Sequence, residues 1–314
     1  MLKDSMYYAK ILLFGEYGII EDSMGLSIPY HFYKGKLLQP IGEIDADKSN
    51  SNASLKQYFQ YLLSSQKAGL MPCTMDLIRL ETDIENGLFF DSSIPQGFGV
   101  GSSGALVAAI YDRYCLDKIS ETEASNGENL LGLKKTLAFL ESYFHGTSSG
   151  LDPLICYLNL PVLIQSKSEL GTVVMPSSNV DGKGAIFLMD SGSPGKTQGM
   201  VSIFLQKLKE EGFRHLVKTK LKKYNDECIK AFLKGDTKPL FANLKELSGL
   251  FLENFKPMIP EKFQQTWRNG IETNAYYLKL CGSGGGGFIL GFTQDMEKAR
   301  EMLKGHNLQI IHQF

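Results

Sequence analysis

A chain of 314 residues, 43% hydrophobic and 21% charged, has room for two domains or one large one around a substantial core. Its net charge of −1 comes with dispersed rather than clustered Lys and Arg, which argues against a nucleic-acid partner, since neutralising phosphates needs concentrated cations. No apolar run reaches bilayer length and the opening segment 1–5 lacks the parts of a signal peptide, so the expectation is a cytoplasmic protein with no membrane partner.

In chain order, residues 7–14 have the β-branched and aromatic content of a buried strand, and a turn follows at 15–18. The polar stretch 44–52 reads as a surface loop, and 54–64 as a helix with Leu55, Tyr58, Phe59 and Leu62 at helical intervals. Residues 76–90 read as strand material broken by a hairpin turn at 85–87. A glycine and serine loop then opens into a helix carrying Leu106, Val107, Ile110, Tyr111 and Tyr114 on one face. A polar loop at 120–128 precedes a second helix over 131–143. A strand at 185–190 is followed by several helices up to about residue 273, clearest at 216–233 and 238–255. Strands at 276–280 and 288–292 flank a glycine run, and a helix at 295–304 leads to a last strand at 308–312. With the helical block counted as one layer, this second half has the β-α-β-β-α-β order of a ferredoxin-like unit with an expanded first crossover. The segment 176–184 reads as a linker between the halves. The five cysteines, Cys73, Cys115, Cys156, Cys228 and Cys281, are scattered and form no Cys-x-x-Cys pair, which argues against a zinc site or a disulfide framework.

Four segments carry chemistry. The first is the loop with Pro95, Gly97, Gly99, Gly101, Ser102 and Ser103. Glycines allow close approach to the backbone, and the helix start beyond them offers unpaired N–H groups and partial positive charge, a combination suited to a polyphosphate. The second is Lys10, an ammonium within an apolar strand, which needs a partner or a cleft. The third is the turn from Glu141 through His145 and Gly150 to Asp152, which can bring two carboxylates into one cleft. One can hold Mg²⁺ against phosphate oxygens and the other accept a proton. The fourth is the run with Gly282, Gly284, Gly285 and Gly286, more glycine than a hairpin requires and better explained by a close backbone approach.

Taken together, Lys10 with Glu16, the Pro95–Ser103 loop, the Glu141–Asp152 turn and the late glycine run resemble the GHMP kinases, in the expected order and over nearly the whole chain. The spacing of Glu141, His145, Gly146, Ser149, Gly150 and Asp152 is most similar to the mevalonate kinases. The resemblance implies an α+β fold with a ribosomal protein S5 domain 2-like ATP-binding domain over 1–180 and a ferredoxin-like domain over 181–314. It implies ATP and Mg²⁺ as cofactors, with Asp152 as base or orienting group and Lys10 beside it. Ser103 and Glu141 would coordinate the metal. Pro95, Gly97, Gly99, Gly101, Ser102 and Ser103 would wrap the triphosphate, with Gly282, Gly284, Gly285 and Gly286 as the third motif. Glu16, His145 and Thr197 would shape the acceptor pocket. The partners implied are ATP and mevalonate or a similar alcohol, and the resemblance admits a homodimer. The chain departs from the family's pattern at Phe14 and Tyr17, where histidines are usual, and at Gly104, where alanine is usual. Pro153 stands where asparagine is frequent, a downstream glycine pair is absent, and Lys196 is the nearest cation to Gly195 where arginine is common. These departures fall mainly on the acceptor pocket. The alternatives are therefore transfer to phosphomevalonate, homoserine or a sugar, and a non-catalytic nucleotide-binding relative.

Overall fold

Strand β1 (Tyr7–Phe14) is apolar and largely buried on both faces, with Ala9, Ile11, Leu13 and Phe14 inaccessible to solvent. The computed structural model describes residues 5–42, 45–125, 127–179, 181–195 and 197–314. After a short 3-10 turn (Gly18–Glu21), the long strand β2 (Gly25–Leu38) follows.

The polar stretch expected to loop is helical instead. Helix α1 runs Ala46–Lys67, started by the Asp45 carboxylate, which accepts the Lys48 N–H at 2.9 Å. Its polar residues have tertiary partners: the Asn52 amide donates to the carbonyls of Ile84 (2.9 Å) and Leu88 (2.8 Å), and Ser51 accepts the Phe90 N–H at 2.9 Å. Residue 44, at the head of the expected loop, lies outside the described residues.

The expected hairpin at 76–90 is also corrected. Asp76 caps helix α2 (Leu77–Glu85), which buries Leu77, Leu80 and Ile84 at helical spacing. Only the short strand β3 (Phe89–Ser92) follows. The apolar period was 3.6 rather than 2, and the turn at Asn86 and Gly87 ends a helix.

Helices α3 (Ser102–Tyr114), α4 (Gly127–His145) and α5 (Leu151–Leu158) come next, then strands β4 (Val162–Ser166) and β5 (Glu169–Thr172). The first sheet has the order β1-β2-β4-β5 with β3 also on β2; β3 and β4 each pair antiparallel with β2.

Strand β6 (Ala185–Asp190) opens the second sheet. The crossover that follows contains α6 (Thr197–Lys207), α7 (Glu211–Leu216), a π-helical turn (Val217–Leu221), α8 (Lys222–Leu233), α9 (Thr237–Asn254) and α10 (Glu261–Thr273). Strands β7 (Tyr277–Leu280) and β8 (Phe288–Thr293), helix α11 (Met296–Met302) and strand β9 (Leu308–Gln313) complete it. The order β7-β8-β6-β9, antiparallel throughout, is that of a ferredoxin-like sheet.

The chain divides into two compact units, each discontinuous in sequence. The first contains residues up to Lys10, Pro29–Pro95 and Gly101–Leu160. The second contains Ile11–Ile28, Gln96–Val100 and Pro161–Phe314. Tyr58, Tyr111 and Tyr114 anchor the core of the first; Phe187, Phe204, Phe251, Phe255, Phe263 and Trp267 fill that of the second. Among the described residues, no helix is long and apolar enough to cross a membrane.

Candidate active site

Three backbone elements of the first unit converge. Lys10, 3% exposed on β1, directs its ammonium to the Asp152 carboxylate at 2.9 Å, which answers the cost of placing a cation in an apolar strand. Asp152 lies in the first turn of α5, where Gly150 precedes the helix in a left-handed conformation (φ +73°). Only glycine fits there, because a Cβ would lie 2.1 Å from the Lys134 carbonyl oxygen. The start of α3 packs against both groups. A Cβ on Gly101 would fall 2.8 Å from Lys10 Cγ, and one on Gly104 would fall 2.8 Å from the Asp152 carbonyl carbon.

Ser103, one residue into α3, donates to Glu141 Oε1 at 3.0 Å and lies 3.0 Å from His145 Nε2. The hydroxyl of Ser148 takes the other carboxylate oxygen, Oε2, at 2.5 Å and accepts the Gly150 N–H at 2.9 Å. Glu141 is thus held by both oxygens at the end of α4. Burial, and secondarily the charge of Asp152, push its carboxyl up to about 7. Burial also holds the His145 imidazole below its ordinary value. Ser102 is half-buried at the N-terminus of α3, and Pro95 ends the unit's preceding segment.

The remaining expected site residues belong to the second unit, with one reservation at Thr197. Gly97 and Gly99 both have φ +79°. A Cβ on Gly99 would stand 2.5 Å from the Cys281 carbonyl oxygen, and the Gly195 N–H donates to the Gly97 carbonyl at 2.8 Å. The late glycine run, with Gly282, Gly284, Gly285 and Gly286 all at positive φ, therefore abuts the loop at 97–99. A close backbone approach is what the excess of glycine predicts. Glu16 is buried, and its two oxygens lie 2.6 Å and 2.5 Å from the Lys279 ammonium. Thr197 begins α6, but its side chain lies outside the described residues, as does Lys196.

Sequence reasoning missed two participants. Lys279 is a lysine inside an apolar strand, the same signal that drew attention to Lys10. Ser148 has no comparable signal, since a serine in a polar turn is ordinary.

The donor set at Ser103 and Glu141 fits a hard divalent cation. Mg²⁺ usually takes one or two protein oxygens and keeps waters or phosphate oxygens for the rest. A buried carboxylate raised this far is one whose negative charge the protein alone compensates poorly. Among the described residues there is no group of three or more His, Cys, Asp or Glu that could hold a metal. The arrangement can thus position an acceptor hydroxyl at Asp152 beside Lys10, next to a helix N-terminus suited to phosphate.

No family model matches the chain, and no curated protein matches it by sequence. Solved structures do match. The mevalonate kinase of L. major in complex with R-mevalonate is 14% identical, with TM-score 0.61 over 100% of this chain and 97% of that one. Streptococcus pneumoniae phosphomevalonate kinase in complex with phosphomevalonate and AMPPNP is 16% identical, with TM-score 0.62 over 98% and 99%. Lactococcus lactis galactokinase complexed with galactose is 12% identical, with TM-score 0.59 over 98% and 92%. The chain has the GHMP kinase fold.

Proposed function

We propose that this protein is an ATP-dependent small-molecule kinase that transfers the γ-phosphoryl group to the 5-hydroxyl of mevalonate, giving 5-phosphomevalonate and ADP. The observation that carries the reading is the 2.9 Å Lys10–Asp152 pair at the start of α3, beside the Ser103–Glu141 contact of 3.0 Å. A nucleotide-binding module has no need of a carboxylate base paired with a buried ammonium.

Phosphoryl transfer asks the protein mainly to position an in-line nucleophile and to neutralise charge. Asp152 accepts the hydrogen bond of the acceptor hydroxyl and takes its proton as the oxygen–phosphorus bond forms and the bond to ADP breaks. Lys10 holds the Asp152 carboxylate in place and stabilises negative charge on the acceptor oxygen and the moving phosphoryl group. Backbone N–H groups at the start of α3, with Ser102, hold phosphate oxygens; within the second unit, Gly97 and Gly99, both at positive φ, leave their own backbone open to a phosphate. Ser103 and Glu141 would hold Mg²⁺, which when bound offsets the charge of the phosphate oxygens and fixes their orientation.

A different acceptor is the second reading, favoured by the state of Glu16. Both of its oxygens are engaged by Lys279, and Tyr17 occupies the position where a histidine is usual. Phosphomevalonate, homoserine and sugars are the competing acceptors. The deciding experiment is a steady-state assay with MgATP over mevalonate and these alcohols, with Asp152→Asn in parallel. The variant is expected to lose about two or more orders of magnitude in turnover while keeping its MgATP affinity. Transfer to another alcohol alone would replace mevalonate as the acceptor. ATP binding without turnover on any acceptor, or near-normal turnover in the variant, would remove the catalytic reading.

A further inference from the structure

Among the described residues of the second unit, Tyr17 is one of three non-glycine positions at positive φ, with Asp22 and Asn274, and the only aromatic one. Its backbone sits at φ 61°, ψ −38°, and the Gly18 N–H donates to the Glu16 carbonyl at 2.6 Å across it. That is a γ-turn of the rare positive-φ kind, which a bulky aromatic residue avoids unless its surroundings impose it. The surroundings do so at three points. The Tyr17 ring packs on Phe204 and Phe255, at centroid distances of 4.6 Å and 5.8 Å. The preceding Glu16 is held by the buried Lys279. The Tyr17 hydroxyl donates to the carbonyl oxygen of Ser283 at 2.6 Å, in the middle of the glycine run.

Strain of this sort persists where the structure over-determines it, and it concentrates at sites that must be held in one geometry. The segment being held here is the glycine run, whose residues have little side-chain packing of their own. Its carbonyl at Cys281 is so close to Gly99 that no Cβ could be inserted between them, and Gly287 approaches Phe98 in the same way, at 2.5 Å from Cα to a would-be Cβ. The Phe288 N–H also donates to the Phe98 carbonyl at 3.3 Å. Movement of the run would therefore be transmitted to Gly97–Gly99.

We infer that Tyr17 is a positioning residue for the nucleotide: its strained turn and hydroxyl fix the 281–287 run, and through it the shape of the Gly97–Gly99 loop. The inference rests on the kinase reading in taking that loop as the triphosphate cradle. Tyr17→Phe keeps the ring and removes only the tie to Ser283, leaving its half-buried carbonyl without that donor. The expected result is a dissociation constant for MgATP raised about five- to twentyfold by titration calorimetry. Amide exchange over 281–287 in the nucleotide-free protein is expected to quicken, while the thermal midpoint stays near wild type. An unchanged affinity or an unchanged exchange rate over 281–287 overturns the inference while leaving the kinase reading intact. If the wild-type protein itself binds no MgATP, the kinase reading fails and this inference falls with it. A variant that fails to fold is replaced by Tyr17→Trp, which retains the aromatic packing and lacks the hydroxyl, with the same two measurements deciding.

Discussion

The Glu16–Lys279 pair gives a sharp energetic test. Both side chains are 1% exposed, and the ammonium lies 2.5 Å and 2.6 Å from the two carboxylate oxygens, with the Leu280 carbonyl at 3.2 Å as a further acceptor. At an effective dielectric constant of about 20, unit charges about 3 Å apart attract by roughly 5 to 6 kcal/mol. Removing both charges from water consumes most of that gain, so the intact pair adds little net stability. Removing one partner strands the other, at a cost of about 3 to 5 kcal/mol. Lys279→Met and Glu16→Gln should each destabilise by that amount. The double variant should recover most of the loss rather than show the sum. The single tryptophan, Trp267, is wholly buried in the same unit, so its fluorescence in urea follows this unit's unfolding. A double variant as unstable as the two singles added together would refute the claim that the pair acts as one electrostatic unit.

Three further outcomes are expected. Gly104→Ala puts a Cβ 2.8 Å from the Asp152 carbonyl carbon and the Pro153 nitrogen, so α5 must shift; about 1 to 3 kcal/mol of stability and part of kcat should be lost. A variant with wild-type melting and turnover would show that α5 is not confined there. Ser103→Ala should raise the Mg²⁺ concentration needed for half-maximal activity, and an unchanged metal requirement would remove Ser103 from metal binding. Glu141 gives a pH dependence whose sign follows from its raised carboxyl. With a folded value of about 7 against an ordinary 4.5, the folded state binds more protons between those values. Stability of the metal-free protein should therefore fall as pH rises through that window, by about 3 kcal/mol in all. Glu141→Gln should lack this slope in thermal melts across pH, and parallel profiles for the two proteins would contradict it.

What the sequence discloses depends on whether its signal is local. Tyr7–Phe14, the β-α-β-β-α-β order after Ala185 and the helix after Ser102 are legible because strand-type composition, helical period and glycine punctuation lie within a few residues. The contact of Lys10 with Asp152 is legible as a need, since a cation in an apolar strand demands a partner, although the partner lies far along the chain. The polar start of α1 is misread because Ser51 and Asn52 find their partners at Phe90, Ile84 and Leu88, which no local window contains. At α2 the error is one of period, with Leu77, Leu80 and Ile84 fitting a helix face better than alternate strand positions. The Ser148 contact to Glu141 is invisible for a further reason: its meaning lies in a distance of 2.5 Å rather than in residue type.

The ferredoxin-like sheet has a kinetic corollary. Ala185 lies opposite Thr293 and Asp190 opposite Phe288, so β6 finds its neighbour only after roughly a hundred intervening residues have been ordered or looped out. The α8–α9 hairpin between them needs only local encounters and can form early. Refolding from denaturant should consequently show fast acquisition of helicity followed by a slow phase in which the sheet zips shut, and the glycine-rich segment between β7 and β8 reaches its final shape only in that last step.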